Sequence, residues 1–113
     1  MATESEPQTV EYRSNCPVSR SLDLLGDKWT LLIMRDALFF ERKTFADFSA
    51  SSERIPTNLL SARLKKLVAC GFLERHKYHN KPARYEYRPT ATGEKLRPVL
   101  NVIKRFGQEN LSA

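Results

Sequence analysis

Asn58, Ser61, Ala62 and Lys65 recur at the spacing that gathers them on one side of an α-helix, opposite Leu60, Leu64 and Leu67. Together they offer an amide, a hydroxyl, a methyl and a cation, with no bulky apolar side chain among them. Such a face can exchange hydrogen bonds with base edges in a major groove about 12 Å wide. Around it, between residues 54 and 88, stand nine bases (Arg54, Arg63, Lys65, Lys66, Arg75, Lys77, Lys81, Arg84, Arg88) against Glu74 and Glu86, an excess larger than the +6 of the whole chain. Clustered cations attract a polyanion through counterion release. The alternative for the charge alone is a solvated surface.

Covalent chemistry finds less support. Cys70, His76 and His79 give a C-x5-H-x2-H pattern, but no fourth ligand has sensible spacing and a regular strand sets the two histidines on opposite faces, so no metal is expected. Asp23, Asp27, Asp36 and Asp47 are single acids on separate helices or caps, and Gly26, Gly71, Gly93 and Gly107 all fall at helix boundaries rather than in a phosphate loop. Neither an enzyme nor a cofactor is expected. Cys16 is the residue with distinctive reactivity. It precedes Pro17 at a helix start, where the helix dipole, with Arg13 and Arg20 in reach, favours thiolate. The alternative is an inert, half-buried thiol; Cys70 is expected to pack, and no permanent disulfide joins the two.

Helix and strand signals that must position these residues come in a definite order. Pro17 opens a first helix carrying Val18, Leu22 and Leu25, ended by Gly26. Asp27 caps a second, through about residue 38, whose Trp29, Leu32, Ile33, Ala37 and Phe40 form a wide core face. Thr44 caps a short third helix over residues 45–50 with Phe45 and Phe48 inward, and a turn at residues 51–54 leads to a fourth over residues 56–70, stopped by Gly71. Short helix, turn, longer helix is the helix-turn-helix order. Two strands, residues 72–78 and 84–88, flank a basic turn over residues 79–83, and a hairpin placed there is a wing. On it Leu73 and Tyr85 or Tyr87 are expected to face the core, with Lys77, Arg84 and Arg88 outward.

A last helix from Thr90 or Thr92 carries Leu96, Val99, Leu100, Ile103 and Phe106 before Gly107. This stripe exceeds what a small domain can cover, so with Val18, Leu22 and Leu25 it is expected to build a twofold dimer interface; the alternative is intramolecular core. The expected architecture is mainly α with a small β-hairpin: a winged helix-turn-helix domain over residues 16–113, behind a flexible arm over residues 1–15. That arm has neither the apolar run of a secretion signal nor the basic amphipathic character of a transit peptide, and no run approaches the ~20 apolar residues of a membrane span, so a cytoplasmic protein is expected.

The series CPV, LDLLGDKWTLLIMRD, TFADF, RIPTNLLSARLKKLVACGFLER and ARYEYRPTATGEKL, over residues 16–107, resembles the HxlR-type winged helix-turn-helix regulators. Gly26-Asp27-Lys28-Trp29-Thr30, Ile55-Pro56-Thr57-Asn58-Leu59-Leu60 with Arg63-Leu64, and Tyr85-Glu86-Tyr87 with Thr90 and Gly93 carry it. Arg88-Pro89 departs from the family's usual polar residue and leucine, and Pro89 is expected to shorten the second strand or hold it at an edge. The resemblance implies a homodimeric DNA-binding regulator on a palindromic operator, most simply a repressor. Lys43, Thr44, Lys66, Arg75 and the first amides of the third and fourth helices are then phosphate contacts. Thr57, Asn58, Ser61, Ala62 and Lys65 face base edges, with asparagine suited to adenine, lysine to guanine and alanine to a thymine methyl. His79, Asn80, Lys81 and Arg84 reach a minor groove. Arg63 is open between a DNA contact and a structural ion pair. In some members of the family a cysteine near the N-terminus senses oxidants or electrophiles, the role this implies for Cys16; other members respond to metabolites. A winged helix used as a protein-protein module is the rival reading.

Overall fold

The computed structural model describes residues 11–111. Pro17–Leu25 forms α1, with Cys16 before it and Gly26 closing it through an N–H donated to the Leu22 carbonyl. The first ten residues of the expected arm lie outside the described residues, and residues 11–15 make contacts with α1. The Arg13 N–H and guanidinium both donate to Asp23, Arg20 donates to the Ser14 carbonyl and Asn15 Oδ1 at 3.0 Å each, and Tyr12 lies under the Arg20 guanidinium.

Thr30–Phe39 forms α2, the central helix. It starts later than Asp27 suggests, after a turn, yet the Asp27 carboxylate still caps it, accepting the N–H groups of Trp29 and Thr30 at 2.9 and 3.0 Å and the Thr30 hydroxyl. Its buried side includes Ile33, Met34, Ala37 and Leu38. Phe40 was expected inward; because α2 stops at Phe39, Phe40 sits beyond the last turn and is 57% exposed. Phe45–Ser49 forms α3, capped by reciprocal bonds between Thr44 and Asp47. Phe48 enters the core. Phe45, the first residue of the helix, leans over the N-terminal turn and is exposed, against expectation.

Thr57–Ala69 forms α4, with Leu60, Leu64 and Leu67 buried to 2% exposure or less. Gly71 takes φ +83°, and the N–H groups of Phe72 and Gly71 return to the Leu67 and Val68 carbonyls, a helix end that favours glycine. Leu73–Asn80 (β1) and Ala83–Pro89 (β2) pair antiparallel. The expected five-residue turn is shorter: β1 runs on through Asn80, β2 begins at Ala83, and only Lys81 and Pro82 join them. Pro89 ends β2 opposite Leu73.

Ala91–Glu94 forms the short α5 and Leu96–Asn110 forms α6. The expected single last helix is therefore two, and the second runs through Gly107 instead of stopping there. Gly93 also lies inside a helix. A Cβ on it would stand 2.1 Å from the Phe72 carbonyl oxygen, so close backbone approach rather than a helix boundary requires glycine. Thr90 fastens this corner: its N–H donates to the Phe72 carbonyl, its hydroxyl donates to the Gly71 carbonyl at 2.6 Å, and its Oγ1 accepts the Gly93 N–H. The core thus lies between α2, α4, the base of β1 and Leu96. No helix among the described residues is long and apolar enough to cross a membrane.

Candidate nucleic-acid interface

The two faces of α4 are as the leucine spacing requires. Thr57, Asn58, Ser61, Ala62 and Lys65 are exposed opposite the buried leucines, and Lys66 is half-buried beside them. Pro56 precedes the helix without a side-chain cap, so the first amides of α4 meet no protein acceptor from a capping residue. These amides mark the N-terminal end of α4, while Lys65 and Lys66 follow about two turns on, Lys66 in the last turn.

At α3 a capping box engages the corresponding groups. The Asp47 carboxylate accepts the N–H groups of Lys43 and Thr44 at 3.0 and 3.1 Å, and Thr44 Oγ1 accepts the Asp47 N–H. The backbone bonds from Lys43 and Thr44 hold the Asp47 carboxyl below its ordinary value. The Asp47 carboxylate thus takes the two amides just before α3, and the Thr44 hydroxyl takes that of Asp47. Lys43 keeps an exposed ammonium, while Thr44 serves the cap.

Arg63 is resolved as an ion pair, its Nε 3.1 Å from Asp27 Oδ1. Burial works against the Asp27 charge, but hydrogen bonds from the Thr30 hydroxyl, the Trp29 N–H, Arg63 and the Thr30 N–H outweigh it and hold the carboxyl down to about 2. The start of α2 and the middle of α4 are thereby joined, which fixes the pitch of the free face.

In the hairpin, Arg75 pairs across from Tyr87 and Lys77 from Tyr85, so both bases share the side of Leu73. Lys77 was expected outward; period two places it with Leu73 instead. Tyr87 meets Phe48 edge-on at the core, and farther out the Arg75 guanidinium lies 4.0 Å from the Tyr85 ring centroid. The opposite side carries Glu74 with His76 at 2.5 Å and Glu86 with Arg88 at 3.1 Å. A register shift between Lys77 and His79 makes Tyr78 an extra residue and returns His79 to the side of His76, so the two histidines are not opposed as expected. Still, among the described residues no group of three or more His, Cys, Asp or Glu could hold a metal ion. Asn80, Lys81 and Arg84 stand exposed at the tip, and His79 Nδ1 lies 3.0 Å from the Pro82 carbonyl.

One positioning contact has no local sequence signal: the Tyr87 N–H donates to the Lys43 carbonyl at 2.7 Å, tying the hairpin to the loop before α3. Cys16 is exposed at the start of α1, but its expected neighbours are engaged elsewhere, Arg13 by Asp23 and Arg20 by Tyr12, Ser14 and Asn15. Cys70 is half-buried behind α4. Of the expected dimer stripe, Leu96 is 6% exposed in the core, and Leu25 and Leu100 pack against that core. Val18, Leu22, Val99, Ile103 and Phe106 are exposed, with Val102 beside them.

Comparison with known proteins matches residues 24–113 to the HxlR-like helix-turn-helix family. A relative described as an uncharacterized HTH-type transcriptional regulator, Rv3095 of Mycobacterium tuberculosis, is 42% identical over 94 residues, 83% of this chain and 58% of its own length. The chain thus spans little more than half of that relative. Among solved structures, PA1607, provisionally described as a transcription factor, superposes with a TM-score of 0.79 at 37% identity, covering 89% of this chain and 69% of that one. The redox regulator HypR in its reduced form gives 0.73 at 31% identity over 84% of this chain and 93% of its own, and it is also solved oxidised. With its helix-turn-helix, paired strands and matched family model, this chain belongs to the HxlR-like helix-turn-helix family.

Proposed function

We propose that the chain is a transcriptional regulator that binds duplex DNA as a homodimer. The observation that carries this reading is the free face of α4: Asn58, Ser61, Ala62 and Lys65 are exposed, with no side-chain hydrogen bond or ion pair among the described residues, on a helix whose other face is fixed in the core. Thr57 and this face enter the major groove. Lys43, Lys66, Arg75 and the uncapped amides of α4 take phosphates, and His79, Asn80, Lys81 and Arg84 approach the neighbouring groove. The exposed apolar side chains of α1 and α6 join two copies, which sets a palindromic operator and repression by occlusion.

A mobility-shift titration with duplex from the gene's own upstream region tests this. Lys65→Ala is expected to weaken that duplex and narrow its margin over unrelated DNA, at about 1–3 kcal/mol for a lost base contact. An unchanged footprint in Lys65→Ala and Asn58→Ala together would contradict the assignment of the face.

Redox control through Cys16 is supported by its exposure and by the likeness to HypR. Diamide is expected to change duplex affinity in the natural chain and not in Cys16→Ser; equal responses would remove the thiol from the mechanism.

A further inference from the structure

Where α2 and α6 diverge there is a groove of about 440 Å³, within the range of small-molecule sites. Its walls are apolar, with Leu32 and Phe40 on one side and Leu100 and Ile103 on the other, and its polar exceptions include two cations, Arg35 and Lys104. Among the described residues the Lys104 ammonium has no ion pair or hydrogen-bond partner. Arg35 is different. Its guanidinium donates to both Glu53 carboxylate oxygens at 2.8 and 2.9 Å, and also to Asp36 Oδ1 and Ser51 Oγ. Glu53 and Ser51 belong to the turn that delivers the chain into α4, and the Arg35 bond, reinforced by the Ser51 hydroxyl, holds the Glu53 carboxyl down to about 2. One side chain therefore lines the groove and grips the turn before the free face of α4.

We propose that this groove binds a small effector with an aromatic or alkyl body and a single carboxylate. The body fills the apolar walls and the carboxylate meets Lys104 and Arg35. Charge complementarity selects the ligand: an apolar cleft with one free cation and a guanidinium that already binds carboxylates favours a monoanion over a neutral molecule of the same shape. In the complex the effector carboxylate competes with Glu53 for Arg35, loosening the turn over residues 51–54 and weakening the set of α4. The second half of this mechanism rests on the DNA-binding reading; the site itself does not.

The experiment is a calorimetric titration of the full chain with 1-naphthoate in the absence of DNA. The expected result is saturable binding, about tenfold weaker for 1-naphthalenemethanol and for Lys104→Gln, where one charge-assisted contact is lost. Leu32→Trp, which fills the cleft, is expected to abolish it; Lys104→Gln changes only an exposed side chain and decides the matter should Leu32→Trp fail to fold. Equal affinity for acid and alcohol would overturn the proposal. So would absence of binding together with loss of self-association in Leu32→Trp, which would give the groove to a second copy. With saturating naphthoate, duplex affinity is expected to fall about fivefold in the natural chain and to stay nearly unchanged in Glu53→Gln, whose grip on Arg35 is already weakened. A chain that bound no duplex would fail the preceding reading while the naphthoate titration still decided this one.

Discussion

Helices α4 and α6 each commit one side to the same core and leave the other uncovered, and the uncovered sides are opposites. On α4 the remainder is small and polar; on α6 it is Val99, Val102, Ile103 and Phe106, the last 58% exposed. A polar free face costs little in water and suits a hydrated, charged partner. An apolar one is unfavourable until something covers it. The difference assigns the two helices to different kinds of partner, and it can be broken at either end.

The largest effect is expected on the shared, buried side. Leu64→Ala leaves a cavity in a closed core and should lower unfolding free energy by about 4 kcal/mol in urea titration, whereas Ser61→Ala on the free face should change it by less than about 0.5 kcal/mol. Next comes the uncovered side of α6. Phe106→Asp is expected to weaken self-association roughly a hundredfold, about 3 kcal/mol, by sedimentation, with the circular dichroism spectrum retained. A natural chain that stays monomeric at micromolar concentration would remove the contrast.

The link between α2 and α4 is expected to rank third. The folded Asp27 carboxyl lies at about 2 against an ordinary 3.8, so the unfolded chain binds the extra proton first. Its contribution, about 2 kcal/mol, is complete above about pH 5 and is lost progressively as pH falls from there through about 2. Asp27→Asn should flatten that part of the stability-pH curve; an unchanged curve would show that the bonds from Thr30, Trp29 and Arg63 do not hold the Asp27 carboxyl down. The smallest effect belongs to the hairpin tip. Lys81→Ala should lower affinity for all duplexes alike and reduce the salt slope by about one unit.

What was legible in the sequence follows the same division. The faces of α4 are a local matter of period 3.6, and spacing alone placed Leu60, Leu64 and Leu67 correctly. Errors arose where a distant group decides. Gly93 resembles a helix boundary until the Phe72 carbonyl is set above it, and Arg63 becomes a structural ion pair only because the fold brings Asp27 beside it. The Thr44-Asp47 capping box was within reach of sequence, since a threonine three residues before an acid is its local signature. Lys77 was misplaced by parity, and His79 by a bulge that no periodicity announces. The exposed position of Phe40 depends on where α2 stops, a boundary that local pattern fixes poorly.

The Thr90 corner has a mechanical consequence. Because the entry to β1 and the exit from β2 are fastened within one cluster of hydrogen bonds, the hairpin is held at its base and free at its tip. An eight-residue strand is about 25 Å long at about 3.3 Å per residue, so a tilt of about 10° at the corner carries Lys81 through about 4 Å. The hairpin is a lever arm with Thr90 at its fulcrum, and small rotations between the core and the strand base become displacements of several ångströms at the cationic end.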